Sequence, residues 1–291
     1  MLKKFVFLSW TALFAVFALN FTACGDDESF VAKPEYGGKS CSSLNGAGSS
    51  SSEAPATGCE TCEYGKLTDD RDGQTYRTVK IGDQWWMAEK LNYAYLQPTE
   101  SLDSSSFCYD NDPKNCNQYG RLYVFSAAVD SAGLFSSDAE GCGNGTECPL
   151  DRQIRGACPE GWHVPSKEEF EILFESVGGQ SDEKEYWEWE NVDLKSTSGW
   201  RVVFEGDTPN GTDSFGFSAY PAGEWYKPAN LDYPIFSSLG VDAHFFTTST
   251  KHPQVSGYGE VYIMQIRHNG NRAEFAFDRK NSAQSIRCVK D

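Results

Sequence analysis

Gly161-Trp162-His163-Val164-Pro165-Ser166-Lys167-Glu168-Glu169-Phe170-Glu171-Ile172-Leu173-Phe174 is the stretch of this chain that says most about its fold. Ser166 followed three residues later by Glu169 is a capping box, in which each side chain satisfies the other residue's backbone N–H. Pro165 and Phe170 stand at staple spacing. Phe170, Leu173, Phe174 and Val177 form one apolar stripe at helical period, and Gly178-Gly179 supplies a left-handed stop. The stripe reads as core and not as a binding face. Gly161 to Val164 reads as a short buried strand, with His163 a hydrogen-bonded structural residue.

Working outward, the texture is mostly β and loop. Asp72-Gly73, between polar and β-prone residues, predicts a tight hairpin turn. Tyr76 to Ile81 alternates as a half-buried strand. Gly82-Asp83 turns again, and Gln84-Trp85-Trp86-Met87 returns with its two tryptophans on opposite faces, one of them in the core. Ser126 to Val129 reads as a strand or helix entry. Arg201 to Phe204, Phe215 to Tyr220, Phe245 to Ser249, Glu260 to Arg267, Arg272 to Phe277 and Ser285 to Val289 are further strand candidates. His268-Asn269-Gly270-Asn271 is a hairpin turn between two of them. Short strands joined by short turns pair antiparallel, and few helices among many strands and loops give an α+β domain.

Ten cysteines among 291 residues point to an oxidising compartment. Cys108 and Cys116 close a short polar loop, and a bridge there is worth about 2–3 kcal/mol on the chain-entropy model. Within it, Asp110, Asn111, Asp112 and Asn115 are oxygen donors that suit calcium or Asx turns. The EF-hand spacing is absent, so no metal is expected. Cys142 and Cys148 bracket Gly143 to Glu147 as a second local bridge. Cys59-Glu60-Thr61-Cys62 is a CxxC with no strand–helix unit around it and no second CxxC. A local disulfide or a pairing with Cys41 therefore fits better than a redox or zinc site.

At the N-terminus, Lys3 and Lys4 precede an apolar run from Phe5 to Phe21, the pattern of a secretory signal. Phe21-Thr22-Ala23-Cys24 resembles a bacterial lipobox. That resemblance implies a signal peptide over 1–23, diacylglycerol on the Cys24 sulfur, N-acylation with palmitate-type chains, and anchoring in the bacterial outer membrane. Asp26-Asp27-Glu28 just beyond resembles a surface-export signal. Residues 24–66 lack an apolar period and carry Gly37-Gly38, Gly46-Ala47-Gly48 and Ser49 to Ser52, so they read as a flexible tether. The net charge of -17, from 25 Lys+Arg against 42 Asp+Glu, repels phosphate backbones and excludes nucleic acid as a partner.

Residues 67–291 carry stretches that together resemble the Fibrobacter succinogenes major paralogous domain. These are 70–93 (DRDGQTYRTVKIGDQWWMAEKLNY), 107–128 (FCYDNDPKNCNQYGRLYVFSAA), 158–173 (CPEGWHVPSKEEFEIL), 194–200 (LKSTSGW), 210–223 (NGTDSFGFSAYPAG) and 285–291 (SIRCVKD). The resemblance implies a C-type lectin-like fold with two short helices, loop-rich and stapled by disulfides. It also implies a bridge between Cys158 and Cys288. The calcium-ligating motifs of classical lectins are absent, and no cofactor is expected.

The function expected is non-catalytic binding at the cell surface, with plant cell-wall polysaccharide or another envelope protein as partner. Trp187, Trp189, Trp225, Tyr226 and Tyr233 lie in loop-like stretches where aromatic rings can hold the apolar faces of sugars. The alternative is a structural or protein-binding envelope component without a sugar ligand. A carbohydrate-active enzyme is a weaker reading, resting on Glu188 and Glu190 as an i, i+2 carboxylate pair.

Overall fold

The computed structural model describes residues 59–96, 106–146, 148, 150, 152–181, 188–190, 192–206, 209–228, 230–250 and 259–291. The expected signal peptide, Cys24, Cys41, the tether up to residue 58 and Trp187 lie outside these residues. In chain order the strands begin with β1 (Tyr64–Thr68), β2 (Thr75–Ile81), β3 (Gln84–Met87) and β4 (Ser106–Phe107). A 3-10 turn at Tyr109–Asn111 leads into α1 (Pro113–Tyr119), β5 (Leu122–Val124) and α2 (Phe125–Ala128). Next come β6 (Trp162–His163), α3 (Lys167–Ser176), β7 (Gln180–Ser181) and β8 (Glu188–Glu190). The remainder is β9 (Glu224–Tyr226), β10 (Ile235–Ser237), β11 (Asp242–Thr250), β12 (Glu260–Arg267), β13 (Ala273–Arg279), β14 (Ala283–Gln284) and β15 (Val289–Lys290).

These strands form three sheets, ordered β1-β2-β3-β15-β6, β10-β9-β14-β5-β4 and β11-β12-β13-β8-β7. Every pairing between named strands is antiparallel, as in the meander of β11 with β12 and β12 with β13. The α+β class is therefore plain, with three short α-helices among the described residues where two were expected.

Helix α3 forms as its sequence dictates. The Ser166 hydroxyl accepts from the Glu169 N–H at 3.2 Å, and the Glu169 carboxylate accepts from the Ser166 N–H at 2.8 Å. Gly178, at φ 83°, ends it. Its stripe packs into a core shared by two sheets: Phe170 lies 5.1 Å from Trp86, and Phe174 lies 5.5 Å from Trp189 and 5.6 Å from Phe275. A second core gathers Phe125, Phe246, Val261, Ile263 and Trp225. Of the Trp85-Trp86 pair, Trp86 is fully buried and Trp85 half-buried, as alternation requires.

Residues 283–290 join the parts. β14 lies between β9 and β5, Ser285 bridges to Phe245 of β11, and β15 lies between β3 and β6. Arg287, fully buried, donates to the carbonyls of Met87 (3.0 Å), Ser218 (3.1 Å) and Phe217. Cys288 is bridged to Cys158; the other disulfides are Cys59–Cys62, Cys108–Cys116 and Cys142–Cys148. The CxxC alternatives thus resolve to a local bridge.

Several local expectations differ. Thr68 faces Thr75, so β1 and β2 are joined by six residues and not by a two-residue turn at Asp72-Gly73. The buried Asp69 organises that loop, taking two hydrogen bonds from the Arg71 guanidinium and one from its N–H. β1 also begins at Tyr64, inside the stretch read as tether. Arg201 to Phe204 is not a strand: Val202 and Phe204 are 64% and 67% exposed and find no ladder. Phe215 to Tyr220 is irregular apart from a bridge between Ala219 and Lys195. Between Cys108 and Cys116 the chain forms α1, capped by the Asp112 side chain with Pro113 in its first turn. The oxygen donors there serve the backbone: Asp112 caps, Asn115 donates to the Tyr109 carbonyl, and Asp110 and Asn111 adopt left-handed conformations.

Candidate functional site

The β9–β10 hairpin brings together three of the five aromatics singled out by sequence. Its register pairs Tyr226 with Ile235, Trp225 with Phe236 and Glu224 with Ser237. Period-2 alternation therefore divides its side chains into two sets. Trp225 and Phe236 point one way and anchor the hairpin. Trp225 stacks on Phe107 at 4.7 Å, and Phe236 lies 5.1 Å from Tyr109. Glu224, Tyr226, Ile235 and Ser237 form the opposite face, each half-buried. Tyr233, in the connecting loop, is 61% exposed. Gly223 lets the hairpin close: at φ 64°, a Cβ there would stand 2.2 Å from the Ser237 carbonyl oxygen.

A polar network lies behind the outer face. Glu224 accepts from the Ser237 hydroxyl at 3.0 Å and from the Gln284 amide at 3.3 Å. The same amide donates to Asp278. Carboxylates only accept, so the Gln284 nitrogen faces both acids and its oxygen faces His244 Nδ1 at 3.2 Å. His244 thereby carries its proton on Nδ1. The network sets Glu224 in place beside Tyr226 by hydrogen bonds from two separate strands.

The remaining aromatics belong elsewhere. Trp225, at 5% exposure, lies in a strand and not in a loop, and its ring anchors the hairpin. Trp189, at 7%, is the middle residue of β8 and packs under α3, so it too is core. Glu188 and Glu190 do flank it on one face of β8, and both approach the Arg272 guanidinium, at 3.0 and 4.0 Å. Sequence reading missed a shallow groove on the β12–β13 hairpin, lined by Gln265, Arg267, Asn269, Arg272 and Glu274. The signal was present as strict polar–apolar alternation, Gln265-Ile266-Arg267 against Arg272-Ala273-Glu274. Among the described residues no group of three or more His, Cys, Asp or Glu is placed to hold a metal ion, and no helix is long and apolar enough to cross a membrane.

Fold and surface define a disulfide-bridged α+β domain that carries Tyr226 and Tyr233 on one hairpin. Residues 79–290 match the Fibrobacter succinogenes major domain, and the chain belongs to that family. No curated protein and no solved structure matches it.

Proposed function

We propose that this domain is a non-catalytic recognition module that binds plant cell-wall polysaccharide through the outer face of the β9–β10 hairpin. The observation that carries the reading is the division of that hairpin: Trp225 and Phe236 fix it from behind, while Tyr226 shares the outer face with the Glu224 carboxylate and Tyr233 stands exposed in the connecting loop. Sugars present apolar C–H faces ringed by hydroxyls, and an aromatic ring beside a hydrogen-bonded carboxylate matches both. Among the described residues β10 has a neighbour on one side only, which puts the hairpin at a sheet edge. A long glycan can run past such an edge.

The proposal includes display on the bacterial outer membrane through a lipid on Cys24. Four disulfides fit a protein exported to an oxidising space. It also includes kinship with C-type lectin-like domains, supported by the long Cys158–Cys288 bridge and the capped α3 that follows Cys158. The non-catalytic assignment is supported by Glu188 and Glu190, which share Arg272 as a counter-ion. One observation favours the alternative of an envelope protein partner: Val202, Val203 and Phe204 form a run of exposed apolar residues.

Affinity electrophoresis through gels containing xylan or soluble cellulose tests the reading. Wild-type protein is retarded, and Tyr226→Ala combined with Tyr233→Ala abolishes the retardation. Unretarded wild-type protein in every plant-polysaccharide gel overturns it. Labelled palmitate incorporation lost in Cys24→Ser tests the anchor; label retained by that variant refutes it.

A further inference from the structure

The geometry points to a thiol–disulfide exchange site at Cys108–Cys116, opened by a dithiol reductant through attack on Cys108 Sγ, with Arg121 receiving Cys116 as the leaving thiolate. Its opening loosens the support of the β9–β10 hairpin. The inference does not depend on what that hairpin binds.

The Arg121 guanidinium lies on the bridge itself. Its Nη1 stands 3.4 Å from Cys108 Sγ and 3.3 Å from Cys116 Sγ, and its Nε donates to the Ser106 hydroxyl at 3.2 Å, which fixes the fork in place. Among the described residues Arg121 forms no ion pair with a carboxylate, and no other disulfide has a cation on its sulfurs. The Cys59 and Cys62 sulfurs, by contrast, approach the Thr61 hydroxyl and the Ser214 carbonyl, at 4.0 and 3.9 Å. A disulfide sulfur is a weak acceptor, so the guanidinium gains little from the oxidised bridge. A thiolate in the same place accepts a charge-assisted hydrogen bond. The cation therefore favours the reduced pair, and it lowers the pKa of the departing thiol, which leaves faster for it.

Access sets the order of events. Cys116, within α1, is 5% exposed, whereas Cys108 is half-buried and open to an incoming thiolate. One sulfur of the dithiol bonds to Cys108 Sγ as the Cys108–Cys116 bond breaks, and Cys116 departs as a thiolate beside Arg121. The second sulfur of the dithiol then displaces Cys108 and closes the reagent's own disulfide. Two electrons have passed to the cysteine pair; of the two protons of the dithiol, one goes to Cys108 and one to solvent. The consequence reaches the hairpin because Cys108 lies between the two residues on which it rests. Phe107 stacks on Trp225 at 4.7 Å, and Tyr109 lies 5.1 Å from Phe236. Opening the bridge removes the covalent tie between that segment and α1.

Timed reduction of the full chain with dithiothreitol, quenched by iodoacetamide and read by peptide mapping, tests this. Cys108 and Cys116 should be alkylated before Cys142, Cys148, Cys158 and Cys288. Arg121→Met should slow opening of this bridge about tenfold, as loss of one hydrogen bond to a charged group implies, and leave Cys142–Cys148 unchanged. Arg121→Lys, which keeps a cation but not the fork, should retain most of the wild-type rate. Opening of Cys108–Cys116 no sooner than Cys142–Cys148, or no slowing in Arg121→Met, overturns the exchange site. Glutathione quenched early should leave its mixed disulfide on Cys108; an adduct on Cys116 instead overturns the order of attack. Hydrogen exchange over 223–237 should rise once the bridge opens while 166–177 stays protected, and an unchanged hairpin overturns the coupling.

Discussion

Trp225 lies flat against Phe107, with ring centroids 4.7 Å apart and planes inclined by 16°. The contact ties the β9–β10 hairpin to β4, at the opposite edge of the same sheet. It also separates two roles that look alike in sequence, since Tyr226 is the very next residue. Trp225→Ala should cost about 3–5 kcal/mol, the range for emptying a buried large aromatic site. Tyr233→Ala should stay within about 0.5 kcal/mol of wild type, as an exposed substitution does. Urea denaturation of both variants checks this; equal destabilisation would contradict the division of the hairpin.

The four bridges should contribute unequally. Cys158–Cys288 closes a sequence separation of 130 residues, and Cys59–Cys62 one of 3. On the chain-entropy model the long bridge is worth about 5 kcal/mol and the short one about 2. Replacing each pair by serine and comparing denaturation midpoints measures the difference. An equal loss from both would place the stabilisation somewhere other than the unfolded chain.

His163 makes stability depend on pH. Its ring donates to Glu169 and Asp291, each at 2.8 Å, while the side chain is almost wholly buried. Burial alone lowers its pKa, but the hydrogen bonds and charges of Glu169 and Asp291 outweigh it and raise the value above 6.5. Burial also pushes Glu169 up, and the bonds from His163 and Ser166 outweigh it and hold the carboxyl below 4.5. The His163 contribution is therefore complete below pH 6.5 and is lost as pH rises through its raised value. The Glu169 contribution is present above pH 4.5 and is lost as pH falls through its lowered value. His163→Gln should cost about 1–3 kcal/mol between these limits, and the gap from wild type should shrink on going alkaline. A gap independent of pH from 5 to about 9 would show that the imidazole is not charged in the fold.

Arg287 is a fully buried cation held by backbone carbonyls. Burial pulls its pKa down to about 9, with Asp213 and Glu89 opposing. Its two terminal nitrogens satisfy three carbonyls that have no access to water. Lys90 is buried alongside, donating to the Tyr220 carbonyl, and burial with the Arg287 charge holds its pKa far below the usual lysine range. Arg287→Met should cost about 3–5 kcal/mol, as breaking a buried charge network does. Arg287→Lys should recover part of that, but lose bidentate reach. A neutral Arg287→Met would mean the carbonyls find other donors.

Where local chemistry decides, the sequence was readable. Ser166 and Glu169 fix the start of α3, and Gly178 its end, through contacts within one turn. Gly82-Asp83 sets a two-residue hairpin for the same reason, with Ile81 opposite Gln84. Trp189 and Trp225 lie in strands and not in the loops expected, and their burial depends on packing against Phe174 and Phe107. No local pattern announces a stacking partner 118 residues away. Val202 to Phe204 has strand-forming side chains but no neighbouring strand to receive them, so propensity alone misleads. The start of α1 was legible in Asp112-Pro113, a cap followed by a first-turn proline, but the flanking cysteines drew attention to a loop. The polar face at Gln265 to Glu274 shows in the alternation of both strands, yet its concavity emerges only once they are paired and twisted.

Residues 283–290 place a strand in two sheets, a bridge to the third, the buried guanidinium and one half of the long disulfide. A nascent chain that has not yet added them lacks the partner for β5 and β9, the ladder between β3 and β6, and a mate for Cys158. The domain therefore closes last around this one short segment, and a fragment that stops before residue 283 should stay open with the Cys158 thiol unpaired.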